Sequence, residues 1–175
     1  MQWLARDHPD KAVRRFEMGF FSRFFGAIGG ANKQSTQPGA GAETPPDERL
    51  AAQVLAEIDI DTAIAAHENW KLRLQNYLDG KSSEDLRPEV ICQDDRCDLG
   101  KWLHGPGRER LGRYPSFSVL VAKHKYFHVQ ASTVVAQAQG GNEEEARRIL
   151  NGSYRLASGQ VVLMLKELKK GLSER

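Results

Sequence analysis

Four side chains in this sequence carry donor chemistry that could converge on one ion: His67, Cys97, His124 and His128. Imidazole nitrogen and thiolate sulfur are the donors that tetrahedral Zn²⁺ takes, and a set of four protein ligands serves structural or regulatory ends rather than hydrolysis. His124 and His128 are four residues apart, so on a helix they project from one face, a turn apart. The competing reading is three hydrogen-bonded core histidines. Each buried imidazole would then need its own polar partner, and the apolar stripes around them offer few. Cys92 is the rival thiol. It falls in an irregular stretch beside Gln93, Asp94 and Asp95, whereas Cys97 opens a helix, where the backbone dipole favours a thiolate. Cys97 is therefore the expected ligand, with Cys92 as a resolving or exchange thiol. His104, beside the Gly105-Pro106-Gly107 turn, is a candidate outer-sphere group. Trp70 and Trp102 are expected to anchor the core around the site.

The elements that must position these residues are helical. A first helix is expected over about Asp47 to Leu78, stopping at Gly80, with Ile60, Ile64, His67, Trp70 or Lys71, Leu74 and Leu78 on its inward stripe. A break separates it from the next element, from Gly80 to Arg96, with Pro88 inside it. A short helix opens near Asp95 to Cys97, carries Leu99, Trp102 and Leu103, and ends at Gly105-Pro106-Gly107. The next starts after Pro115, with Ser116 as the expected cap. It lines up Phe117, Leu120, Val121, His124, Phe127, His128, Ala131, Val135 and Ala138, and Gly140-Gly141 stops it. The last is capped by Asn142, with Glu143 to Glu145 complementing its dipole. Its core side is read as Ile149, Leu150, Ser153, Leu156, Val161, Met164, Leu165 and Leu168. No segment alternates with period two. The expected architecture is an all-α, antiparallel four-helix bundle with a short inserted helix carrying the cysteine.

Organisation along the chain falls into three parts. Residues 1–28 form a short amphipathic segment in which Phe16, Phe20, Phe21, Phe24 and Phe25 make an aromatic stripe with arginines nearby. Residues 29–46 are rich in Gly, Ala, Gln, Pro and Thr and read as a flexible linker. Residues 47–175 hold nearly all the periodic apolar signal and form the expected folded domain. The aromatic stripe suits a partner-docking helix or a membrane surface; a helix folded back on the bundle, or an unstructured extension, is the plainer reading.

Charge and composition narrow the class. Twenty-five lysines and arginines against 23 aspartates and glutamates give a formal net charge of +2, with the signs interleaved. That balance argues against nucleic-acid binding. No run approaches the roughly 20 apolar residues of a spanning helix, and the N-terminus lacks the features of a secretory signal. With two cysteines and no export signal, a cytoplasmic location with reduced, metal-bound or redox-active thiols is expected.

In these motifs the sequence resembles a known family, the chemoreceptor zinc-binding (CZB) domains of bacterial signalling proteins. The residues that carry the resemblance are A-A-H-E-N-W-K-L-R-L from Ala65, C-D-L-G-K-W-L from Cys97 and H-K-Y-F-H from His124. It runs from about Asp59 to Val135 by motif and to near Lys170 by helix pattern. The resemblance implies a Zn²⁺ site made of His67, Cys97, His124 and His128 in a homodimeric four-helix domain. It also implies that zinc occupancy or cysteine oxidation alters the output of a chemoreceptor or a diguanylate cyclase. These 175 residues contain no GG[D/E]EF cyclase motif and no long receptor signalling coil, so the expected output partner is a separate protein. A metalloenzyme is the alternative class. His67-Glu68-Asn69-Trp70 lacks the second histidine of a His-Glu-x-x-His site, and Glu-x-x-His pairs for a di-iron centre are absent.

Overall fold

In a computed structural model, the described residues are 46–173, and among them every regular element is helical. The N-terminal aromatic stripe, and all of the linker but its last residue, lie outside the described residues. Eight α-helical segments succeed one another: α1 (Glu48–Glu57), α2 (Ile60–Leu78), α3 (Pro88–Ile91), α4 (Asp98–His104), α5 (Pro106–Leu111), α6 (Pro115–Gln139), α7 (Glu143–Ile149) and α8 (Arg155–Ser173), with a π turn (Leu150–Tyr154) joining the last two. No helix among the described residues is long and apolar enough to cross a membrane.

Two helices replace the single one expected over 47–78. Asp59 is extended (φ −82°, ψ 98°), and its carboxylate accepts from Thr62 N at 3.0 Å and from the Thr62 hydroxyl at 2.7 Å. An N-cap of this kind satisfies amides that have no partner inside the helix. It starts a new helix although the apolar period runs on. From that start, α2 buries Ile60, Ala63, Ile64, His67 and Leu74, while Trp70 is half-buried and Lys71 exposed. α6 buries Phe117, Leu120, His124, Phe127, His128, Ala131, Ser132, Val134 and Val135. It packs against α2, α3, α7 and α8, and α2 packs against α8.

Other expectations are corrected locally. Gly105 ends α4, but Pro106 then opens α5, since proline suits the first turn, where its missing N–H is not needed. Gly107 is held close to Trp102: a Cβ there would stand 2.8 Å from the indole ring. The break over 80–96 contains α3, again opened by proline. Tyr114, not Ser116, is the N-cap of α6, and Asn142 caps α7 without a side-chain bond to its amides, its amide nitrogen donating to Gln137 instead. The last helix is interrupted by the π turn, whose extra residue shifts the phase of the helix beyond it. Its core side accordingly runs Leu150, Tyr154, Ala157, Val161, Leu165, Leu168 and Leu172, and Leu156, expected inside, is 61% exposed.

Candidate metal centre

His67 comes from the middle of α2, His124 and His128 from successive turns of α6, and Cys97 from the N-cap of α4. One ligand atom from each residue lies within 4.8 Å of the others. Zn–N and Zn–S bonds of tetrahedral sites imply ligand separations of about 3.3–3.8 Å, which Cys97 Sγ and His124 Nε2 already meet at 3.3 Å, and a pair at the 4.8 Å limit would close by about 1 Å. The imidazole rings of His124 and His128 have centroids 4.7 Å apart, and that of His67 is 5.3 Å from His124. Phe127 closes the site from below, 4.9 Å from the His67 ring and 5.3 Å from that of His128.

Hydrogen bonding sets the tautomers. His67 Nδ1 donates to Ala63 O at 2.7 Å and His128 Nδ1 donates to Ile91 O at 2.7 Å. Each therefore carries its lone pair on Nε2. His128 Nε2 is buried and has no hydrogen-bond partner, and the same is true of His124 Nδ1. Cys97 Sγ lies 3.3 Å from His124 Nε2 and accepts from Gly100 N at 3.2 Å. Orphaned polar atoms are costly in a native core. The lone pair on His128 Nε2, left without a proton donor inside a cluster of imidazoles and a thiol, is what a soft divalent cation would complete.

Electrostatics agrees with neutral ligands. Burial, reinforced by the neighbouring imidazoles, depresses His124 to about 2. Burial likewise lowers His67 and His128, against hydrogen bonds to Ala63 and Ile91 that favour the charged form. Neutral imidazole is the metal-binding form. For Cys97 the expectation of a dipole-favoured thiolate is corrected. Burial pushes the thiol up and outweighs the Gly100 amide, with Asp98 adding to the rise. Without a cation the residue is a thiol, because the Gly100 and Leu99 amides do not repay the desolvation of a sulfur anion.

The remaining expected residues divide. Cys92 is exposed, outside the cluster, and its thiol donates to Glu89 O at 3.4 Å. Trp102 is buried with its ring 5.9 Å from Phe117. Trp70 lies under the Arg73 guanidinium at 4.0 Å and borders a cavity of about 280 Å³ that reaches Cys97 and His128. A second cavity of about 420 Å³, lined in part by Glu57, Asp59, Asp98 and His67, reaches Cys97 from the other side. His104 is exposed and donates from Nε2 to Asp94 Oδ2 at 2.8 Å. Asp94 is the residue sequence reasoning passed over: the same oxygen stands 4.0 Å from His124 Nδ1. No spacing rule marks it, because it lies in a loop where only the fold brings it to α6.

Fold and donor set thus define a helical metal-binding domain with three imidazoles and one thiol, a set that zinc fits. Residues 67–135 match the family model of the chemoreceptor zinc-binding domain, so the chain carries a CZB domain over that stretch, beginning at the first of the four residues and enclosing the other three. This is a zinc-binding sensory family rather than a catalytic one. No curated protein and no solved structure matches the chain.

Proposed function

We propose that this chain is a cytoplasmic zinc-responsive regulatory module whose metal occupancy, or oxidation of Cys97, modulates a bacterial signalling partner of the chemotaxis or cyclic-di-GMP type. In this reading the helices form an antiparallel four-helix bundle, with α4 as the inserted helix and a homodimer as the working form. His67, Cys97, His124 and His128 hold the ion. The observation that carries the reading is the convergence of three buried, neutral imidazoles on one thiol, with the His128 Nε2 lone pair left unsatisfied. Four protein donors leave no open position for a substrate, which favours regulation over hydrolysis.

Zn²⁺ held by His67, Cys97, His124 and His128 would supply the positive charge that keeps the Cys97 sulfur a thiolate, and these residues come from α2, α4 and α6. The chain's own part is to present the donors. Ala63 O and Ile91 O orient two rings, Phe127 excludes water beneath them, and the α4 N-cap delivers the sulfur. Cys97 borders both cavities, so a peroxide can reach it. Two-electron oxidation to the sulfenic acid, with the peroxide reduced to water, removes a ligand and frees α4.

The test is zinc content and competitive zinc titration of the full chain. We expect about one zinc per chain in wild type and in Cys92→Ala, and an affinity lower by at least about tenfold in Cys97→Ala. Equal affinities for wild type and Cys97→Ala would sink the assignment.

A further inference from the structure

His124 differs from the other two histidines on its outer side. His67 and His128 each place Nδ1–H on a backbone carbonyl at 2.7 Å. His124 faces Cys97 with Nε2, which puts its hydrogen on Nδ1, and that buried nitrogen has no partner. Asp94 Oδ2 stands 4.0 Å from it, beyond hydrogen-bond reach. The carboxylate is mostly buried, 15% exposed, and is already held from its outer side by His104 Nε2 at 2.8 Å.

The backbone of Asp94 is also fixed to the helix that bears the sulfur. A Cβ on Gly100 would fall 1.8 Å from Asp94 O, so only glycine allows the loop to lie against the first turn of α4. Asp94 and Cys97 are therefore carried by one small rigid piece. Cys97 Sγ already stands 3.3 Å from His124 Nε2, so the piece is in place beside α6, and a shift of about 1 Å of the Asp94 carboxylate turns the 4.0 Å gap into a hydrogen bond of about 2.9 Å.

We propose that Asp94, steadied by His104, is an outer-sphere positioning residue of the metal centre: its Oδ2 accepts from His124 Nδ1–H, fixes that tautomer and aims the Nε2 lone pair at the ion. The proposal rests on the zinc reading above. A carboxylate behind a metal-bound imidazole fixes ring orientation and raises ligand basicity, and loss of such a partner costs about 10–100-fold in metal affinity.

Zinc affinity is measured by chelator competition on the full chain for wild type, Asp94→Ala, Asp94→Asn and the neighbouring charge control Asp95→Ala. The imidazole nitrogens of His124 are followed by NMR. We expect a loss of at least about tenfold for Asp94→Ala, a smaller loss for Asp94→Asn, whose amide oxygen still accepts, and a change within about twofold for Asp95→Ala. Zinc-loaded wild type should show a slowly exchanging, hydrogen-bonded Nδ1–H on His124 that Asp94→Ala lacks. Asp94→Ala within about twofold of a zinc-binding wild type overturns the positioning role alone, and so does an equal loss in Asp95→Ala. Should Asp94→Ala fail to fold, an unbonded Nδ1–H on His124 in zinc-loaded wild type overturns it equally. A wild type that binds no zinc brings down the underlying reading as well.

Discussion

His67, His124 and His128 stand on helices of 19 and 25 residues, whereas Cys97 caps a helix of seven residues at the end of a loop. The long helices are fixed by Ile64, Leu74, Leu120, Phe127 and Val135, all buried, and that packing places the three imidazole rings. The sulfur depends on local contacts: the Gly100 amide, the close passage of Asp94, and the His104 bond behind it. Three ligands form a standing socket and the fourth works as a latch. The two cavities that meet at Cys97 are unlike in charge, with Glu57, Asp59 and Asp98 on the His67 side and Arg73, Arg87 and Arg96 against the single carboxylate of Asp85 on the His128 side. A socket built this way is prepared in advance at the cost of unpaired polar atoms in the core.

The sharpest way to break the comparison is His124→Leu. Zinc affinity should fall by at least about 100-fold, since one of four donors to a site worth about 10–16 kcal/mol is gone. The metal-free protein should nevertheless be at least as stable as wild type, and by about 1 kcal/mol more stable if the leucine packs, because a buried atom without a partner is replaced by apolar volume. Thermal melts in chelator, set beside the zinc titration, read both effects. A metal-free protein destabilised by more than about 2 kcal/mol would show that the socket is a packing requirement and not a binding device.

Acidity separates the two halves next. The imidazoles are already neutral in the folded chain and the thiol is protonated. Zinc binding near pH 7 should then displace about one proton, from Cys97, and affinity should rise about tenfold per pH unit between about 7 and 9. Calorimetry in buffers of different ionisation enthalpy counts that proton; a count near four, the thiol plus three imidazoles, would mean that the histidines are charged in the free protein. Stability of the metal-free chain takes the same directions. The lowered histidines leave more protons on the unfolded chain below about pH 6.5, so stability is full above that value and declines as pH falls. The raised thiol acts oppositely, and its share is lost as pH climbs above about 8.5.

The smallest expected effect sharpens the comparison by what it leaves alone. Asp59→Ala removes the cap of α2 and should cost about 1 kcal/mol of stability. His67 lies two turns further on, fixed by Ala63 O, so zinc affinity should change by less than about threefold. Chemical denaturation and zinc titration of the one variant measure both.

The socket was legible in the sequence because period and residue type agreed. The α6 stripe from Phe117 to Val135 is one uninterrupted apolar face with two histidines in phase, and α2 repeats the pattern around His67. What was not legible is set by single local interactions or by distance in sequence. The Asp59 cap interrupts a run whose period continues through it. The π turn adds one residue and puts Leu156 outside where a uniform helix would bury it. Asp94 meets α6 only through tertiary packing, and the thiol's acidity depends on burial, which no spacing encodes.

Tyr154, at the end of that π turn, lies with its ring 5.5 Å from Phe127, the floor of the site. A π turn is one residue of slack taken up in a continuous coil, and deleting it winds everything beyond round by about 100°. The outer face of α8 is therefore indexed to the histidine cluster by a single residue. A deletion in residues 150–154 works as a frameshift in three dimensions: the side chains of α8 keep their order but change the direction in which they are displayed.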